Sequence, residues 1–266
     1  MRSVLRKLFR PLIIRPSGSA HGDSPLLCYV ERGLLLPREK LLRLGTRYGG
    51  WIIPVDSGLG PASICYCAGA GEDISFDCAL VMLFCCKVRI MDPTPRAVDH
   101  FRKLADSLVN GTRFPVNNDP RVLYEITHDK FQLLSFLPVG LSDRDQELKF
   151  FLPKNPDHVS CSVVNLQKTK DYFVARCCRL AAIMQQHGDA SIDLLKMDIE
   201  GSEYAVINDM VSTGLLPRLL LIEFDEVNAP LDNKSEDRIR AHIEMLVKAG
   251  MQCVAVEGCN ATFVRK

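Results

Sequence analysis

The chain of 266 residues has no apolar run long enough to cross a bilayer; its longest candidates are broken by charge, Gly or Pro within about a dozen positions, short of the roughly 20 that a spanning helix needs. It also lacks an excess of either charge. Lys and Arg number 33 against 32 Asp and Glu, a net charge of +1, so there is no field that would gather nucleic acid or an anionic surface. A soluble protein is expected, with no nucleic-acid partner and no stable membrane insertion. C-x-x-C spacing is missing although the chain holds 11 cysteines. Cys65 and Cys67 alternate along a strand-like segment, while Cys85/Cys86 and Cys177/Cys178 are adjacent, so zinc-ribbon ligands are not supplied and no metal site is expected. The odd count, with neighbours projecting apart, excludes a complete disulfide framework and points to reduced, mostly buried thiols of a cytoplasmic protein.

Acids are absent before Asp23, where Arg2, Arg6, Lys7, Arg10 and Arg15 stand. The apolar stretch 11–14 is too short for the roughly 7–15-residue core of a signal peptide, leaving a loosely ordered basic arm or a mitochondrial presequence. Residues 1–47 are accordingly read as an accessory or partly disordered extension, and 48–266 as one domain. Composition says nothing of oligomeric state.

What is present from Ser63 onward is an alternation of short apolar runs and amphipathic stretches, the pattern of a mostly parallel α/β sheet with crossover helices. Strands are expected over 63–67, 87–91, 122–126, 132–139, 148–152, 192–197 and 219–222, with a closing pair over 252–256 and 262–264. Helix faces are expected at Phe76, Leu80, Leu83 and Phe84; at Val98, Phe101, Ala105 and Leu108, after a Thr94 cap and Pro95; and at Ile239, Ile243, Leu246 and Val247. The segment 110–121 is read as a surface connection. The loop 153–170, with His158 as a further candidate base, is long enough to suggest a functional cover.

In open parallel sheets the ligand lies outside the carboxyl ends of the strands, and here those positions are glycine-rich or acidic. Gly69 and Gly71 come after the first strand in a turn that lets backbone approach a ligand. Asp92, at the end of the next strand, is where a carboxylate would meet ribose hydroxyls. The third glycine of a G-x-G-x-x-G fingerprint is replaced by Ile74, which argues for a nucleoside without a pyrophosphate.

Three stretches at these ends, Asp92-Pro93-Thr94-Pro95, Val139-Gly140-Leu141-Ser142-Asp143 and, most specifically, Leu194-Leu195-Lys196-Met197-Asp198-Ile199-Glu200-Gly201-Ser202-Glu203, resemble the successive motifs of FkbM-type methyltransferases. The resemblance spans about residues 69–224. It implies a class I methyltransferase (Rossmann-like) sheet, mostly parallel with an antiparallel last strand, and S-adenosylmethionine as cofactor. It also implies methyl transfer to a hydroxyl of a small molecule, sugar or lipid. Gly69, Gly71, Glu72, Asp73, Asp92, Pro93, Thr94, Leu141, Ser142 and Asp198 are then the expected cofactor-binding residues. At the turn the chain departs from the family pattern, with Tyr66-Cys67 where an acid is common. Glu72 or Asp73 either replaces that acid toward the cofactor's ammonium or only favours the positive end of the next helix.

Methyl transfer by in-line displacement needs alignment and, for a hydroxyl, a base. Asp198, Glu200 and Glu223 are the catalytic candidates, Asp198 to orient cofactor or acceptor and Glu200 or Glu223 to take the proton. Two other readings remain: a nicotinamide-dependent oxidoreductase, and a degenerate, non-catalytic methyltransferase-fold interaction module. Trp51, the single tryptophan, is expected as a hydrophobic anchor or a stacking lid.

Overall fold

Alternation along residues 64–68 sends Cys65 and Cys67 to one side and Tyr66 and Ala68 to the other, all buried, so this strand needs cover on both faces. The computed structural model describes residues 13–14, 21–154, 161–164 and 169–266 and supplies that cover. Its strands are β1 (Ile13–Ile14), β2 (Leu41–Leu44), β3 (Trp51–Pro54), β4 (Ile64–Ala68), β5 (Lys87–Met91), β6 (Pro115–Val116), β7 (Asp119–Leu123), β8 (Leu134–Leu137), β9 (Gly140–Ser142), β10 (Gln146–Phe151), β11 (Tyr172–Arg179), β12 (Leu194–Met197), β13 (Leu219–Glu223), β14 (Met251–Glu257) and β15 (Asn260–Arg265). The helices are α1 (Ser75–Phe84), α2 (Pro95–Val109), α3 (His128–Phe131), α4 (Leu180–His187), α5 (Glu203–Thr213) and α6 (Ser235–Lys248).

Seven strands form one sheet in the order β14-β15-β13-β12-β4-β5-β8. β8, β5, β4, β12 and β13 pair in parallel, while β15 runs antiparallel to both β13 and β14. The sheet is thus mostly parallel within a mixed α/β fold. The chain builds outward from β4 to β8 and then returns to the other side at β12, so the strand order reverses between β4 and β12. Register makes this reversal useful: Ala68 lies opposite both Met91 and Met197, and Met197 opposite Ile222. The carboxyl ends of four strands are therefore level, and the residues just beyond those ends gather at one rim.

Helices α1 and α2, with the β2–β3 hairpin, cover the Cys65/Cys67 face; α4, α5 and α6 cover the Tyr66/Ala68 face together with Leu26. The segment expected as an accessory extension is, from His21 on, part of this packing. Leu26 is 0% exposed, Ser24 Oγ donates to the Gly258 carbonyl at 2.5 Å, and Leu36 N donates to the Val254 carbonyl at 2.8 Å. The expected boundary at 47/48 falls in the turn between β2 and β3.

Several local expectations need correction. Val98 is 38% exposed; Phe101, Ala105 and Leu108 pack against the core as expected, but the most buried residues of α2 are Ala97, His100, Leu104 and Ser107, and His100 Nε2 bonds the Tyr124 hydroxyl at 2.8 Å. Val247 is 50% exposed, since Ile239, Ile243 and Leu246 complete the inner face of α6. The single strand expected over 132–139 ends at Leu137; β9 then joins β10 and β11 in a separate three-stranded sheet. Strand β11 went unread in the sequence because apolar residues fall on both its faces. The connection 110–121 contains the β6–β7 hairpin, turning at Asn117 and Asn118, both with positive φ. No helix among the described residues is long and apolar enough to cross a membrane, and seven of the eleven free cysteines are buried.

Candidate functional site

The tightest point of the rim is Gly69. Its φ is +82°, and a Cβ built there would lie 1.7 Å from the Asp198 carbonyl oxygen, so only glycine lets the ends of β4 and β12 meet. Gly71, also at positive φ, completes the turn. The Asp92 carboxylate, arriving from β5, organises it: Oδ2 accepts Ala70 N at 2.8 Å and Gly71 N at 2.9 Å, while Oδ1 accepts Thr94 N at 2.8 Å and Thr94 Oγ1 at 2.6 Å. A carboxylate offers about four lone-pair sites, and all four are engaged within the protein. Asp92 thus organises the turn.

The neighbouring acids are engaged as well. Glu72 pairs with Arg96 at 2.7 Å and accepts Asn118 Nδ2 at 2.9 Å. Asp73 accepts Ser75 N at 3.0 Å through Oδ1, and Thr46 Oγ1 at 2.5 Å and Gly49 N at 3.2 Å through Oδ2. It starts α1 and ties the β2–β3 turn to the glycine turn.

Opposite stand the residues at and beyond the ends of β12 and β13. Glu223 is pushed up to about 8 by burial and by the negative charge of Asp198, although Cys259 Sγ donates to its Oε1 at 3.0 Å. Glu200 takes φ +52°, uncommon for a residue with a side chain, and its carbonyl accepts Ser162 Oγ at 2.5 Å. Glu203, at the start of α5, reaches back to Ile199 N at 2.8 Å and Gly201 N at 2.9 Å, which holds the 198–202 loop; burial pushes it up to about 7. Asp225 is pushed up to about 10 by burial and the surrounding carboxylates.

These walls enclose a cleft of about 280 Å³. Of the expected residues, Gly69, Gly71, Glu72, Asp73, Asp92, Pro93, Thr94, Leu141, Asp198, Glu200 and Glu223 line it. Ser142 does not; it is buried beside the cleft, its Oγ donating to Asp143 and accepting from Gln146. His158 lies outside the described residues.

Sequence reasoning missed several lining residues. Lys196 had a signal, a charge inside the apolar run of β12. Tyr48 and Gly49 arrive through the hairpin turn, and Asn260 through its register opposite Glu223 in β15, neither of which the sequence displays. Trp51 is buried in β3 and also lines the cleft. Among the described residues no group of three or more His, Cys, Asp or Glu is arranged to hold a metal ion. Residues 70–250 match the family model described as the methyltransferase FkbM domain. No curated protein matches the chain.

Proposed function

The chain belongs to the FkbM methyltransferase family, and on that premise we propose that it moves a methyl group from S-adenosylmethionine to a hydroxyl oxygen of a small molecule, sugar or lipid, within a class I methyltransferase fold. The observation that carries this reading is the meeting of the Gly69–Gly71 turn with Asp198 and Glu223 at level ends of neighbouring strands, where the sheet order reverses. The sheet order, with its one antiparallel strand, supports the fold assignment.

The residues present fit the cofactor's chemistry. The glycine turn allows close backbone approach, Met91, Pro93 and Leu141 give an apolar bed for a base, and Asp198 offers a carboxylate to an ammonium. S-adenosylmethionine, when bound, supplies a methyl group activated by its sulfonium. The chain's part is to align the acceptor and remove its proton. Glu223 suits the second task, because its raised pKa makes it a stronger base than an ordinary carboxylate once ionised, and its burial limits competition from water. Turnover is then expected to rise with pH through about 8 as Glu223 loses its proton.

Calorimetric titration with S-adenosylmethionine, S-adenosylhomocysteine and NAD tests the proposal. Micromolar binding of both sulfur nucleosides and none of NAD is the expected result. Binding of NAD alone would overturn it in favour of a nicotinamide-dependent oxidoreductase. A second reading, the non-catalytic module, draws on the engagement of Glu72, Asp73 and Asp92 by protein partners, and binding of none of the three ligands would favour it.

A further inference from the structure

Lys196 lies in β12 between Leu195 and Met197, both fully buried, and is itself 5% exposed. A methionine would fill the same space without a charge to desolvate, so the ammonium needs an explanation. Among the described residues it is the only basic side chain lining the cleft. Four elements converge on it. Its Nζ donates to the Gly69 carbonyl at the end of β4 and stands 3.6 Å from Asp198 Oδ2, beyond β12. From α1 the buried Asp77 carboxylate acts on it, and from β3 the Trp51 ring lies with its centroid 5.6 Å away. Asp77 Oδ1 has no hydrogen-bond partner among the described residues, so the charge of Lys196 is the main compensation for that buried acid.

We propose that Lys196 is the positioning residue of the cleft, its ammonium clamping the Gly69 carbonyl to the Asp198 carboxylate and thereby setting the spacing of the β4 and β12 ends where the cleft would take the ammonium-bearing end of the cofactor. This rests on the cofactor reading above. Burial pulls the lysine's pKa down, but the charges of Asp198 and Asp77 outweigh it and the net direction is upward, so the clamp stays cationic. The titratable groups facing it are Asp77 from α1, Cys67 from β4, Asp198 and Glu223. A lysine that only compensated the buried Asp77 would cost stability when removed, because its partner is left without a counter-charge, but would leave cofactor affinity unchanged.

Lys196→Met separates the two roles. The variant is expected to fold yet bind S-adenosylhomocysteine at least about tenfold more weakly, since small misplacements in a preorganised site carry effects of this size. Loss of the cation also raises the pKa of the facing carboxylates, so the pH midpoint of binding moves upward. Lys196→Arg keeps the charge but misplaces it; the wild-type midpoint and a smaller loss, about threefold, are expected. A ligand-free readout accompanies these. Trp51 is the only tryptophan, and its emission is expected to change across the range in which Asp77 and Glu223 titrate, about 6 to about 8, in the wild type and to track a displaced profile in Lys196→Met.

Wild-type affinity and an unshifted midpoint in Lys196→Met would overturn the clamp. If that variant fails to fold, wild-type affinity in Lys196→Arg would do so. If the wild type binds neither sulfur nucleoside, the cofactor reading falls, and the emission profiles decide on the clamp alone: identical profiles in wild type and variant reject it.

Discussion

At the scale of single residues, the carboxylates in and behind the cleft differ in how they are held. Asp92 builds. Replacing it by Ala removes four hydrogen bonds to a charged acceptor and leaves the Ala70, Gly71 and Thr94 donors facing a void, at an expected cost of about 3 kcal/mol of stability. Affinity for S-adenosylhomocysteine is expected to fall with it, by about tenfold or more, because the turn loses its shape. Denaturant unfolding and calorimetry on the same variant check both, and an intact stability would show that Asp92 does not organise the turn. Asp77, Glu203, Glu223 and Asp225 are held protonated up to about 6, 7, 8 and 10, chiefly by burial. An unfolded carboxyl has given up its proton by about pH 4–4.5. Between those values the folded state binds more protons than the unfolded one, so these groups make stability fall as pH rises, levelling above about 10. Thermal melts are expected to decline across that window, and to decline less in Glu223→Gln, with about 2–4 °C for each kcal/mol in a domain of this size. A slope unchanged in Glu223→Gln would remove Glu223 from the set of groups responsible.

At the scale of elements, the β2–β3 hairpin is the part of the cleft least expected from the sequence. It precedes the matched residues 70–250, yet brings Tyr48, Gly49 and Trp51 to the cleft. Its turn is held by the buried Arg43 guanidinium, which donates to the carbonyls of Thr46, Arg47 and Gly50 and pairs with Glu257 at 3.0 Å. Arg43→Met is expected to lose about 2–3 kcal/mol in denaturant unfolding, by leaving those carbonyls and Glu257 without a donor. The same loosening should raise the acceptor KM of the enzyme, since Tyr48 is the exposed aromatic side chain that the turn presents. The helices show a related division. The periods of α2 and α6 and most of their inner faces were legible, Phe101, Ala105 and Leu108 in one and Ile239, Ile243 and Leu246 in the other, but the edges of those faces were not: Val98 and Val247 are apolar residues that the packing leaves outside while His100 goes in.

At the scale of the whole molecule, one sheet with two covered faces explains why residues 21–47 pack with the rest of the fold. Leu26 completes the packing on the face shared with α4, α5 and α6. Leu26→Ala is expected to destabilise by about 2–4 kcal/mol, the range for a buried leucine that leaves a cavity. Unfolding in urea measures this. A loss below about 0.5 kcal/mol, the level of an ordinary surface substitution, would show that the segment merely rests on the core.

The amino-acid order by itself determined the strands of the main sheet from β4 onward and the helices α1, α2 and α6, the cap and proline that start α2, the antiparallel closing pair, and the glycine and acids at the strand ends. Each of these is written in local periodicity or in a motif only a few residues long. Only the tertiary structure decided which partners those acids meet. Asp92, Asp73 and Glu72 are engaged by donors near or far in the chain, whereas Glu223 is buried beside Asp198 through the parallel register of β12 and β13. The same holds for Lys196, whose charge looks anomalous along the strand and acquires a role only where Gly69, Asp198, Asp77 and Trp51 converge on it. The physical reason is common to both: a side chain's type is local, but its desolvation and its hydrogen-bond partners are set by residues far away in the chain.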